Sequence, residues 1–189
     1  RSAYGTPSCR YVGWTEGIKN FKGHFVCTSS NPTRFGIENA SAKPLFESIG
    51  TGGIVDSVTI YGTSYFSGPA DFSTLCLENF GKMTNCVNKV EVVNATGNLA
   101  GVCFTNKGTM TGCRNEGKLA TTANVGGVVY ENQGTLNRSI SIITSSKGIV
   151  DGAQVGGVVY LNKGTVHTCA TSVNKQGATQ PLGFIAYHN

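Results

Sequence analysis

Three histidines, seven cysteines and ten carboxylates are the residues of this 189-residue chain that could do chemistry. A zinc centre would call for C-x-x-C, H-x-x-x-H or H-E-x-x-H spacing, and none occurs. His167 and His188 stand where related segments carry Thr or Asn and Glu, Thr or Leu, so they read as outward, solvated positions; His24 has no such counterpart. Carboxylate-driven glycoside cleavage needs two acids on either side of one bond. Glu78 and Glu131 occupy equivalent positions two segments apart, with Thr105 between them. About 10 Å of stacked strand would separate them, too far for a retaining pair and within range of an inverting one. No G-x-G-x-x-G or phosphate-loop pattern is present, and Ser139 and His167 form no nucleophile motif. No catalytic residue, metal or cofactor is expected.

The cysteines carry more information. Cys76 and Cys103 share one repeat position, and Cys86, Cys113 and Cys169 share another. Stacked in a core, they would act as small apolar side chains. Cys9 and Cys27 lie outside the repeat, and a Cys9–Cys27 bridge is the expected disulfide. Seven is odd, so at least one thiol is free or paired outside the chain. That count fits an oxidising compartment with a spare thiol or a reducing one with buried thiols, and three sequons, at Asn39, Asn94 and Asn137, are candidate glycosylation sites.

These positions are defined by a repeat. "VGGVVYENQGTLNRS" (125–139) returns as "VGGVVYLNKGTVHTC" (155–169), and the glycine of its N-x-G step recurs as Gly81, Gly108, Gly134 and Gly164. The spacings are 27, 26 and 30 residues. Two residues before each glycine stands Asn79, Asn106, Asn132 or Asn162, and Asn189 fills the same slot at the end of "GFIAYHN". Four before stand Leu77, Phe104, Tyr130, Tyr160 and Tyr187; six before, Leu75, Val102, Val128, Val158 and Ile185. Met83, Met110, Leu136 and Val166 follow by two. Thr109, Thr135 and Thr165 make a further column, best read as β-favouring turn residues. A degenerate copy around Gly53 lacks the asparagine.

A unit this short cannot bury its own apolar face, whereas stacked units bury a continuous one. No unit shows helical spacing over ten residues. Each shows short β-branched runs broken by Gly or Asn. The expected fold is all-β: a single parallel β-helix (β-solenoid) of about five to six coils, rising about 4.8 Å per coil. Residues 1–44 form an irregular N-terminal cap and lead-in. Solenoid units follow near 45–71, 72–98, 99–124, 125–154 and 155–181, with a partial unit at 182–189. Like then stacks on like: the asparagines form an amide ladder and the aromatic residues a ring ladder.

The pattern G-G-V-V-Y-x-N-x-G-T-[LV], followed shortly by Cys or Ser, resembles the GLUG-type repeats of secreted and surface-attached proteins. The lead-in, 21–60, is similar to the segment that often precedes such repeats. The resemblance covers 21–189 and implies a β-solenoid in an extracellular or cell-surface protein, adhesin-like or a non-catalytic spacer in a secreted peptidase. The cysteines and the missing asparagine of the Gly53 unit depart from the pattern.

The net charge of +5 is spread without a Lys/Arg run, which argues against nucleic acid, and no apolar run approaches a membrane span. The chain stops at Asn189 in mid-coil, a position read either as a cut in a longer protein or as an edge that pairs with another subunit. The expected role is therefore a non-enzymatic, extracellular structural or adhesive solenoid that self-associates head to tail through its ends into a fibre or surface layer. Host or surface glycans are the other candidate partner. A spacer or adhesin fragment of a larger secreted protein, and a β-helix carbohydrate-active enzyme, are the alternatives.

Overall fold

The computed structural model describes residues 10–12, 16–26, 34–38, 43–64, 69–142, 150–151, 153–172 and 182–189. Every regular element among them is a strand, and every pairing is parallel, in register with the neighbouring coil except for one shift between Val92 and Ala95. The chain is a parallel β-solenoid with about four complete turns. Among the described residues no helix is long and apolar enough to cross a membrane.

One turn visits four sheets in a fixed order. Phe72–Ser73 starts the first complete turn in a two-residue lead-in sheet, Cys76–Asn79 lies in an asparagine sheet, Lys82–Thr84 in a methionine sheet, and Val87–Ala95 in a broad sheet. Later turns begin at Leu99–Ala100, Val125–Gly126 and Val155–Gly156, and Leu182–Gly183 starts a further one. Residues before 45 add to the same sheets. His24–Val26 pairs with Ile54–Asp56, Arg34–Glu38 with Thr59–Ser64, and Ile18 and Phe21 bridge to Phe46 and Ile49. Phe21, Phe25 and Phe46 pack there with centroids 5.3–6.4 Å apart.

The core is a set of columns. Leu75, Val102, Val128 and Val158 are fully or almost fully buried, as are Met83, Met110 and Leu136. Each side chain taken from water contributes about 1.5–3 kcal/mol before ordering is counted. The corner glycines set the spacing. A Cβ on Gly81, Gly108, Gly134 or Gly164 would overlap the carbonyl oxygen of Gly53, Gly81, Gly108 or Gly134, the anchor one coil earlier. These glycines serve close backbone approach, and none of the four has a positive φ.

Positive φ appears instead at the next corner. Ser57, Asn85, Gly112, Arg138 and Thr168 are in register and adopt φ between 46° and 66°. Only one of the five is glycine. Side chains at the others accept a left-handed backbone, which costs about 1–2 kcal/mol per residue, because the stacked sheets on both sides demand that turn.

Candidate functional site

The asparagine ladder is continuous. Asn79 Nδ2 donates to Asn106 Oδ1 at 2.8 Å, Asn106 to Asn132 at 2.8 Å, Asn132 to Asn162 at 2.9 Å and Asn162 to Asn189 at 2.7 Å. All four bonds run in one direction. Asn79, Asn106 and Asn132 are fully buried, and Asn189 is exposed. Asn79 Oδ1 accepts from the Gly81 amide, which leaves the starting acceptor satisfied. One coil earlier the slot holds buried Ile49, so the ladder begins against an apolar residue.

The ring ladder runs beside it. Phe104 and Tyr130 stack at 4.5 Å with 10° between planes, Tyr130 and Tyr160 at 4.7 Å and 18°, and Tyr160 and Tyr187 at 5.5 Å and 5°. Leu77 occupies the preceding position. Tyr160 Oη donates to Gln154 Oε1 at 2.7 Å, which ties the ring to the residue just before the strand Val155–Gly156. Partial burial pushes the phenols of Tyr130 and Tyr160 up. The ring faces lie against one another and Tyr160 is buried, so the stacked faces are closed to a ligand.

Glu78, Thr105 and Glu131 are in register, as their spacing suggested. Each glutamate is committed to a lysine one coil further on: Glu78 to Lys107 at 2.9 Å and Glu131 to Lys163 at 2.7 Å. The Lys163 hydrogen bond, assisted by Gln133, holds the Glu131 carboxyl below its ordinary range despite partial desolvation. A general acid needs the opposite displacement, upward.

Cys76 and Cys103 are direct register partners, both fully buried. Cys86 and Cys113 are buried neighbours whose thiols face backbone carbonyls, and the adjacent Cys113 thiol together with desolvation pushes the Cys86 thiol well up. Burial, then the Cys76 thiol, does the same to Cys103. Ser139 takes the next place in the Cys86–Cys113 column, where its hydroxyl accepts from the Cys113 amide at 3.2 Å, and Cys169 follows, half-buried. All five of these cysteines are free thiols. Cys9 and Cys27 lie outside the described residues, as does Asn39.

The Asn94 backbone lies in the strand Val87–Ala95, but its side chain is outside the described residues. Asn137 is half-exposed, whereas the hydroxyl of its sequon residue Ser139 is buried and donates to the Asn137 carbonyl at 3.1 Å. His167 and His188 are exposed, in register with Asn137 and Leu161, and His24 is exposed beside Ile54. Thr109, Thr135 and Thr165 form a column that continues from His24, Ile54 and Lys82 in the preceding coils.

A second asparagine pair escaped the sequence reading. Asn88 Nδ2 donates to Asn115 Oδ1 at 2.7 Å, with both residues almost fully buried. Their column continues as Ser141 and Thr171, so it lacks the identity that betrays the first ladder. The only signal in the sequence was the shared 27-residue offset of Asn88 and Asn115. The Ser141 hydroxyl is buried without a hydrogen-bond partner, and Asn115 Nδ2 turns to the Gly117 carbonyl at 3.3 Å.

The class that these columns define is the parallel β-solenoid, held by side-chain ladders along its axis. Compared with family models, with curated proteins and with solved structures, the chain matches none.

Proposed function

We propose that this chain is a GLUG-like structural and adhesive solenoid of an extracellular or cell-surface protein, which extends by end-to-end association. The observation that carries this reading is the one-way asparagine ladder, in which every amide donates toward the following coil. A polar ladder makes each coil a template for the next, whether that coil comes from the same polypeptide or from another copy. Contacts between unlike ends do not close on themselves and build a filament. The columns of Val, Met and Cys favour the same role, because a rod of stacked identical layers resists bending and shear.

Light scattering and negative-stain microscopy of the purified chain, with and without reductant, test the proposal. Regular fibres whose growth depends on protein concentration are expected. A chain that stays monomeric at high concentration would sink the assembly reading and leave a spacer or adhesin module.

A further inference from the structure

We propose that a cavity on the corner between the asparagine and methionine sheets, near their N-terminal end, binds an anionic pyranose unit of an acidic glycan. This deepens the adhesive reading above and rests on it for the source of the glycan, another surface.

The cavity has a cause in the chain. One residue, Phe80, turns the corner between Asn79 and Gly81. One coil earlier the same register is held by Ile49 and Gly53, with Gly50, Thr51 and Gly52 between them. The two extra residues make a protruding turn, closed by the Gly53 amide donating to the Gly50 carbonyl at 2.9 Å, with Gly52 at φ 86°. Beside this turn lies a space of about 360 Å³, walled by Gly52, Ile54, Phe80, Lys82 and Thr109 over the close-packed corner backbone. The space is a shallow hollow open to solvent on one side, with room for a single ring unit rather than for an enclosed ligand.

Its walls differ in chemistry. Phe80 is 41% exposed, a large apolar ring left in water at the rim. Lys107 lies 4.7 Å from the ring centroid and is neutralised by Glu78 at 2.9 Å, so it adds little net attraction. Lys82 is different: it is exposed and has no ion-pair partner among the described residues. Thr109, its register partner, brings a hydroxyl to the same wall. Among the described residues no carboxylate lines the cavity.

An anionic pyranose meets all of these groups at once. Its C–H face covers the Phe80 ring, its carboxylate or sulfate pairs with the Lys82 ammonium, and its hydroxyls reach Thr109 and the corner backbone. A neutral sugar leaves Lys82 unanswered. An acidic peptide offers the charge without a rigid ring to fill the floor.

Titration calorimetry of the full chain with a galacturonate oligomer, a sulfated galactan oligomer and a neutral galactan tests the site and tells carboxylate from sulfate. Binding of at least one charged oligomer is expected, in preference to the neutral one. Lys82→Gln should weaken it about tenfold, the loss of one charge-assisted contact. Phe80→Ser should weaken charged and neutral oligomers alike, and Lys163→Gln, far along the same edge, should change nothing. Equal losses from Lys82→Gln and Lys163→Gln would reveal diffuse attraction to a chain of net charge +5 and overturn the site, as would no binding of either charged oligomer. Light scattering on the same samples separates the two proposals. Fibres without saccharide binding remove only the site, and saccharide binding by permanent monomers removes only the assembly.

Discussion

Asn106 Nδ2 donates both to Asn132 Oδ1 at 2.8 Å and to the Thr135 carbonyl at 3.2 Å, while Asn106 Oδ1 accepts from Asn79. One buried side chain therefore joins three coils. Asn106→Ala strands a donor below and an acceptor above, each costing about 1–3 kcal/mol. We expect a loss of about 3 kcal/mol in urea unfolding. Asn189→Ala removes a bond at an exposed position and should cost under about 1 kcal/mol. Equal costs at the two positions would contradict a ladder whose strength comes from burial.

Gly134 has no room for a side chain, because its Cβ would overlap the Gly108 carbonyl. Gly134→Ala must push two coils apart, and we expect a cost of about 3 kcal/mol, the upper end for overpacking. Gly52→Ala meets nothing within 4 Å, but its φ of 86° sets a cost of about 1–2 kcal/mol. Thermal melts of the two variants should rank them in that order.

Ser141 sits where the Asn88–Asn115 pair would continue, its hydroxyl buried and unpartnered. Gly127 lies across from it, as Gly101 lies across from Asn115, so the two positions have the same kind of neighbour on that side. Ser141→Asn should extend the second ladder by one rung and stabilise the chain by about 1 kcal/mol. A rise in the urea midpoint at unchanged slope would register the gain, and a fall would show that the space is filled.

The thiols should separate by burial. Alkylation of the native chain, mapped by mass spectrometry, is expected to label Cys169 ahead of Cys76, Cys86, Cys103 and Cys113, which should react only on unfolding. The Cys169 thiol is pushed above its ordinary value by desolvation, so its labelling rate should still climb at a pH where a free thiol has levelled off. Rapid labelling of Cys103 in the native state would contradict the packed core.

Glu131 gives the acid limb of stability. Its carboxyl is depressed by Lys163, so the pair contributes above the ordinary carboxylate value of 4.5 and is lost as pH falls through the lowered value. Glu131→Gln should cost under about 1 kcal/mol near neutrality, as partly exposed pairs do, and nothing once the Glu131 carboxyl of the unsubstituted chain is protonated. Urea midpoints measured across that range check the sign.

The columns around Asn79, Gly81 and Met83 were legible because translation by one coil places like residues on like, which forces a periodic sequence wherever identity matters. The all-β parallel class followed from that period together with short β-branched runs. Three features were not legible. The left-handed corner of Ser57, Asn85, Gly112, Arg138 and Thr168 shares a backbone shape rather than a residue type. The Asn88–Asn115 pair repeats only once before serine replaces it. The cavity beside Phe80 depends on two extra residues between Ile49 and Gly53, whose consequence appears only when that coil lies against the next. Sequence by itself determined which residues must stack. Tertiary structure decided which stacks are sealed and which face water, because burial belongs to the closed coil and not to any one segment of it.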